Sequence, residues 1–258
     1  MKIDQEIKDF LNANRNLINT FDFTSLYELA NSKGLWDAAP QMTYIFYSAG
    51  IDPLQYMNFV PNQFADELTL PNSVVSIPDN IEHIYSFAFR RTNATKFIAP
   101  ANLKPIPSFR TGSLLQDSYA FSNCDDLVEA DFSKCQLYDE IEAWMFAYCS
   151  KLKVIKFPKN LCMIRSNAFL RCKSLNSIDL RDYPKLTHIE HAAFKGCDNL
   201  TTIYLPNSIE HIGLSAFATG KPITIMFDGT QQEWENKFGA EIIEGTWNSS
   251  EVNIVFLR

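Results

Sequence analysis

The sequence predicts an α/β repeat solenoid: a parallel β ladder closed by a helical cap at the N-terminal end and a small α+β cap at the C-terminal end. Three observations predict it. One short phrase recurs through the middle of the chain, each copy is too short to bury its own apolar face, and both flanks lack the phrase. Units of this kind must stack and share a continuous core.

The phrase is clearest across residues 164–217, where Ile189-Glu-His-Ala-Ala-Phe194-Lys-Gly-Cys197-Asp-Asn-Leu200-Thr-Thr-Ile203-Tyr-Leu205-Pro206 is nearly repeated on either side. Its phenylalanine serves as an anchor. The anchors are Phe89, Phe121, Phe146, Phe169, Phe194 and Phe217, separated by 32, 25, 23, 25 and 23 residues, which predicts about six coils. Five positions upstream stand Ile84, Ile141, Ile164, Ile189 and Ile212, with Gln116 as the exception and Leu115 beside it as the substitute. Downstream come Cys124, Cys149, Cys172 and Cys197, and after them Leu127, Leu152, Leu175 and Leu200.

Each unit ends in an alternating run such as Lys153-Val154-Ile155-Lys156-Phe157, which has the period of a half-buried strand, and Pro158 then stops it. Stacked coils turn these runs into a parallel ladder. The Ile-to-Cys half supplies the opposite wall, as a second short strand or as a helical turn.

These motifs resemble the BspA-like leucine-rich repeat family, and residues 200–217 fit its pattern most closely. The resemblance covers residues 68–220. It implies a non-enzymatic interaction protein, often one displayed on a cell surface. The helical start with Gly50-Ile-Asp-Pro-Leu-Gln-Tyr-Met, and the ending around Phe227-Asp-Gly-Thr230, further resemble leucine-rich repeat proteins of bacteriophages and gut-bacterial mobile elements. That second resemblance implies a phage-encoded protein working in the host cytoplasm.

Three regions follow: residues 1–66 as a helical cap, 67–221 as the solenoid, and 222–258 as the closing cap. In the first, Ile3, Ile7, Phe10 and Leu11 share a helical face. A second helix runs from about Thr24 to Gly34 and a third from near Pro40 to Gly50. Leu68-Thr-Leu70-Pro71 reads as the first strand-like run, followed by insertions at 73–80 and 101–113 that interrupt the early array. In the closing cap, residues 223–227 read as a strand, Thr230 with Glu233 as a capping box opening a short helix, and 252–257 as a final strand.

At 258 residues with 46% hydrophobic side chains, the chain can bury a sizeable core. The first ten residues are charged and lack the apolar stretch of a secretory signal, and no run is long enough to span a membrane, so the expectation is a cytoplasmic protein. Four of the six cysteines fill one repeat column, which reads as small buried side chains rather than disulfides or a metal site.

Catalytic signatures are missing: there is no P-loop, dinucleotide fingerprint or cysteine pair with zinc spacing. His83, His188 and His211 share a column, but Leu115, Glu140 and Met163 fill it elsewhere, so no metal is expected. No cofactor is expected either. The net charge of -7 resides in the caps, because residues 67–220 hold 16 acidic and 16 basic side chains. Within that stretch the signs separate, with eight acids at 117–142 against Lys134, and ten Lys or Arg at 151–195 against three acids. This is either a bipolar steering surface or a solvated face on which Asp131, Lys156 and Asp179 pair with one another.

The predicted function is a non-enzymatic protein-protein interaction module, and the more concrete version is a phage-encoded inhibitor covering a host defence protein. Its contact residues are an aromatic stripe two positions before the anchor, Phe87, Tyr119 and Trp144, with Tyr148, Phe109 in the second insertion, and the basic Lys151, Lys153, Lys159 and Arg171. Later coils place Asn167, Ala192 and Ser215 in the stripe column, so packing does not demand a ring there. Alternatively, the N-terminal cap or the second insertion folds over the stripe. Two other functions compete. One is nucleic-acid binding through Lys151, Lys153, Lys159, Arg165 and Arg171, which the sequence pI of 5.2 disfavours. The other is a surface adhesin.

Overall fold

The computed structural model of the protein describes residues 1–35, 37–105, 118–239 and 252–258. The N-terminal segment forms four helices where three are expected: α1 (Gln5–Ala13), α2 (Arg15–Asn19), α3 (Phe23–Ser32) and α4 (Ala38–Ser48). Asp22 starts α3 by accepting from the Ser25 amide at 3.1 Å. Pro40 falls in the first turn of α4, where a missing N–H breaks no intrahelical bond. Ile7, Phe10, Phe23, Leu26, Met42 and Phe46 bury the facing sides.

Fourteen short strands follow among the described residues. One ladder uses the alternating runs: β2 (Val74–Ser76), β4 (Lys96–Ile98), β5 (Glu129–Asp131), β7 (Val154–Lys156), β9 (Ser177–Asp179), β11 (Thr202–Leu205), β13 (Ile223–Phe227) and β14 (Val252–Phe256). The opposite wall is a second ladder of two-residue strands: β1 (Phe59–Val60), β3 (His83–Ile84), β6 (Glu140–Ile141), β8 (Met163–Ile164), β10 (His188–Ile189) and β12 (His211–Ile212). Every pairing is parallel and in the register of the repeat, as Ile203↔Ile225 and Ile141↔Ile164 illustrate.

The start of the array differs from the sequence reading. Residues 68–71 are not a strand; the Leu70 amide instead donates to Asn93 Oδ1 at 2.7 Å. Residues 73–80 are not an insertion, because they contain β2, paired with β4. The coils also begin earlier, since β1 pairs with β3 inside the stretch read as helical cap. Ala65 there occupies the anchor position and donates to Ala88 O at 2.7 Å, while the Phe64 ring packs 5.9 Å from Phe89. An alanine anchor conceals this coil from a search on phenylalanine, so the body has about seven coils rather than six.

The alternation of anchor spacing resides in one loop. Coils with the 25-residue spacing carry a longer connection after the first-ladder strand, and Asp131 and Asp179 open those connections by accepting from the Ser133 and Arg181 amides at 3.0 and 3.1 Å. The first ladder is also divided: β2-β4-β5-β7 form one sheet and β14-β13-β11-β9 another. At that seam Lys156 turns back to Asp131 at 2.9 Å and Asp179 takes Arg181 at 2.5 Å. Of the predicted trio, then, Asp131 and Lys156 pair and Asp179 does not join them.

A third wall connects the two ladders and carries the anchors. Its backbone bonds run from coil to coil at alternate residues: Asn167, Phe169 and Arg171 donate to the carbonyls of His191, Ala193 and Lys195 at 3.0, 2.8 and 2.7 Å. The same three bonds join the coils of Phe146 and Phe169 and those of Phe194 and Phe217. The anchor rings stack behind this wall, with successive centroids 5.1 to 5.9 Å apart, all buried. Each column cysteine is a buried free thiol donating to the anchor carbonyl of the preceding coil, as Cys172 does to Phe146 O at 3.1 Å. This gives the small polarisable side chain a reason to recur: it fills core and satisfies a carbonyl together.

In the closing cap α5 (Gln231–Phe238) begins with a complete Thr230/Glu233 capping box. Trp234 is buried with its ring 5.0 Å from Phe227 and 4.5 Å from Phe238.

Candidate functional site

The third wall brings the predicted aromatic stripe together. Phe87 and Tyr119 stack with centroids 5.0 Å apart and planes 10° apart, and Tyr119 and Trp144 at 5.3 Å and 18°. All three rings are half-buried. Of the two expected covers, the second insertion, including Phe109, lies largely outside the described residues.

Backbone conformation explains what the column tolerates. Phe87, Tyr119, Trp144, Asn167, Ala192 and Ser215 all have positive φ, between 48 and 61°. The column two residues after the anchor does the same, with Arg91, Asn123, Tyr148, Arg171 and Gly196. A left-handed conformation costs an ordinary L-residue about 1–2 kcal/mol, and asparagine adopts it more readily than a bulky ring. Aromatic side chains in the first three positions therefore run against local preference.

The two ends of the stack differ. At Phe87 the Arg90 guanidinium lies 4.8 Å from the ring centroid, and its charge is met by Asp66 through two hydrogen bonds of 2.9 and 2.5 Å. Beyond Trp144 the next residue of the column is the small Asn167. Tyr148, in the same coil as Trp144, is 37% exposed, and Arg171 reaches over its ring at 5.7 Å.

The predicted basic residues do not form one patch. Lys151 pairs with Asp126 at 2.8 Å, and Arg165 is held by Glu140 at 2.7 Å with Glu190 beyond. Lys153 and Lys159 are exposed on either side of β7, and Arg171 stands on the third wall. Adjacent coils thus neutralise much of the charge that looked segregated. Lys156 bridges Glu129 and Asp131 at 2.9 Å each, and Lys96 joins Glu129 at 3.1 Å. Hydrogen bonds from Lys156 and then Lys96 hold the Glu129 carboxyl below its usual range. Burial works to raise Asp131, but bonds from Ser133 and Lys156 outweigh it and leave it lowered.

The histidine column is present, with the His188 and His211 rings 5.5 Å apart. Among the described residues no group of three or more His, Cys, Asp or Glu side chains could hold a metal ion. No helix there is long and apolar enough to cross a membrane. Sequence reasoning missed Arg90 and Asp66 at the head of the stack; their 24-residue separation, one coil, was the available signal.

A stack of parallel short strands, with anchors and cysteines in register, defines a leucine-rich repeat solenoid. The BspA type leucine rich repeat region matches in six copies across residues 57–113 and 116–238, and the chain belongs to that family. The fold is generally a protein-interaction or adhesin-type scaffold. Among solved structures, a leucine-rich repeat protein from Bacteroides ovatus is 20% identical with a TM-score of 0.48, over 81% of this chain and 59% of its own. A leucine rich cell surface protein from Faecalibacterium prausnitzii is 20% identical with a TM-score of 0.44, over 74% and 62%. The leucine rich repeat protein of T. pallidum is 23% identical with a TM-score of 0.41, over 61% and 66%. This chain spans about three fifths to two thirds of those proteins. No curated protein matches it.

Proposed function

We propose that the protein is a non-enzymatic binding module for another protein and that its contact surface is the third wall around Phe87, Tyr119, Trp144 and Tyr148. One observation carries the reading. Three half-buried rings stack in a left-handed column whose later members are Asn167, Ala192 and Ser215, on the same hydrogen-bonded backbone. The backbone does not ask for rings, and the anchors already fill the core, so recognition is left as their use. The narrower role, a phage-encoded inhibitor covering a host defence protein in the cytoplasm, rests on the resemblance of the chain's two ends.

Changing Tyr119 and Trp144 together to Ser tests the surface. Cross-linking in the native host should lose its partner band, while unfolding free energy stays within about 1 kcal/mol, as for positions outside a core. A double variant that unfolds places the stripe in the core, and one that keeps the partner band removes the stripe from the interface. Expression of the wild-type chain in a phage-restricting host, with no relief of restriction, would remove the narrower role.

A further inference from the structure

We infer that the segment this wall takes is acidic: a stretch of protein presenting carboxylates, which lies across the ring edges and ends on Arg171. The inference rests on the proposed contact surface and adds the chemistry of what binds there.

The rings themselves give the first argument. Phe87, Tyr119 and Trp144 are stacked with planes 10 and 18° apart, so the faces between them are occupied by one another. What the stack offers outward is ring edges. An aromatic quadrupole is negative on its face and positive at its edge, so a row of edges favours carboxylate and carbonyl oxygens. The same geometry disfavours single-stranded nucleic acid, whose bases need open ring faces for stacking.

The second argument is the state of the arginines. Among the described residues Arg90, Arg91, Arg165, Arg181 and Arg258 each hold a carboxylate, from Asp66, Glu67, Glu140, Asp179 and Asp228 respectively. Arg171 holds none. It is exposed, its guanidinium lies over the Tyr148 ring at 5.7 Å, and its backbone is fixed by the bond to Lys195 O at 2.7 Å. Gly196 makes room for it, since a Cβ there would come within 3.0 Å of Arg171 Cγ. A planar fork resting on a ring, with no carboxylate of its own, is suited to receive one from outside.

The surrounding charges agree. Lys173 and Lys195 are exposed beside Arg171 and make no ion pair among the described residues. Of the acids on the neighbouring coils Asp126 is held by Lys151, while exposed Asp125 and half-buried Asp198 are the opposing charges. On a chain of net charge -7, Arg171, Lys173 and Lys195 together make a local basic surface beside the aromatic one.

The test is a selection of random dodecapeptides displayed against the full-length chain, followed by fluorescence anisotropy of the recovered peptides. Recovered sequences should be enriched in Asp and Glu, and replacing those residues by Asn and Gln should weaken binding about tenfold or more, as expected when charge-assisted bonds are lost. Arg171→Gln and the double change Arg171→Glu with Lys195→Glu should weaken binding similarly without moving the melting temperature. A selection that returns no acidic peptides, whether it yields apolar ones or none, overturns the inference. So does a twelve-nucleotide oligothymidine bound as tightly as the best peptide. Peptides that need Trp144 but are not acidic leave the contact surface standing and remove only its chemistry. Acidic peptides indifferent to Tyr119→Ser with Trp144→Ser remove the contact surface itself.

Discussion

The first and second halves of the third wall share a backbone and differ in what they display. Positive φ, coil-to-coil hydrogen bonds and stacked phenylalanine anchors run through both. In the first half the left-handed column carries Phe87, Tyr119 and Trp144; in the second it carries Asn167, Ala192 and Ser215. The scaffold does not require that difference, and under the proposed function it answers a demand from outside. The ladder facing the other way shows a related contrast. Its first sheet wears the Lys96, Glu129, Lys156 and Asp131 network, whereas β9, β11 and β13 place Ser177, Thr202 and Thr224 in the first outward column.

The largest expected effect breaks both halves together. Deleting residues 1–66 removes the helices and β1, which leaves the β3 edge unpaired, and light scattering should show oligomers or aggregates. A monodisperse folded product would make that segment a separate domain. Next, Phe121→Ala and Phe169→Ala should each cost about 3–5 kcal/mol in urea unfolding, one from either half, because the anchors are alike where the display is not. An unchanged midpoint in either would refute the shared core.

The acid response should test the charged network of the first half, although a hydrogen bond from Arg181 lowers Asp179 in the second half as well. Glu129 and Asp131 have lowered folded values, so their contribution is fully present above the ordinary carboxylate range and is lost as pH falls through the lowered values. The urea midpoint should therefore drop below about pH 4, and Glu129→Gln with Asp131→Asn should flatten that drop. A double variant with the wild-type profile would show that the network contributes nothing. The smallest effect is expected at the stripe. Trp144→Asn relieves left-handed strain of about 1–2 kcal/mol and forfeits ring stacking of about 0.5–1.5 kcal/mol, so net stability should move by about 1.5 kcal/mol or less. A loss comparable to that of an anchor would erase the contrast between the halves.

Much of this was legible because a repeat states the same physics several times. One copy of the isoleucine, phenylalanine, cysteine and leucine pattern would be ambiguous; four in register fixed the ladder direction and the buried columns. Where the pattern lost its phenylalanine, at Ala65, the first coil went unread, and β2 was mistaken for an insertion because its own coil had no phenylalanine to count from. The stripe was legible as a contrast between coils, but its stacking was not, since ring orientation depends on a left-handed backbone that phenylalanine, tyrosine and tryptophan give no hint of. The charge pattern misled for a related reason. Composition along the chain counts Glu140 and Arg165 as members of opposite blocks, whereas one coil of separation makes them neighbours.

The alternation of longer and shorter connections also bears on how such a chain can be extended. Asp131 and Asp179 occupy equivalent places, and so do Phe121 and Phe169, each two coils apart. The true period is therefore a double coil. Tandem duplication of a whole pair would hand each new connection a neighbour of the other length, as in the parent. Duplication of a single coil would set two equal connections side by side. Growth in even steps is thus the path that keeps the alternation of connection lengths.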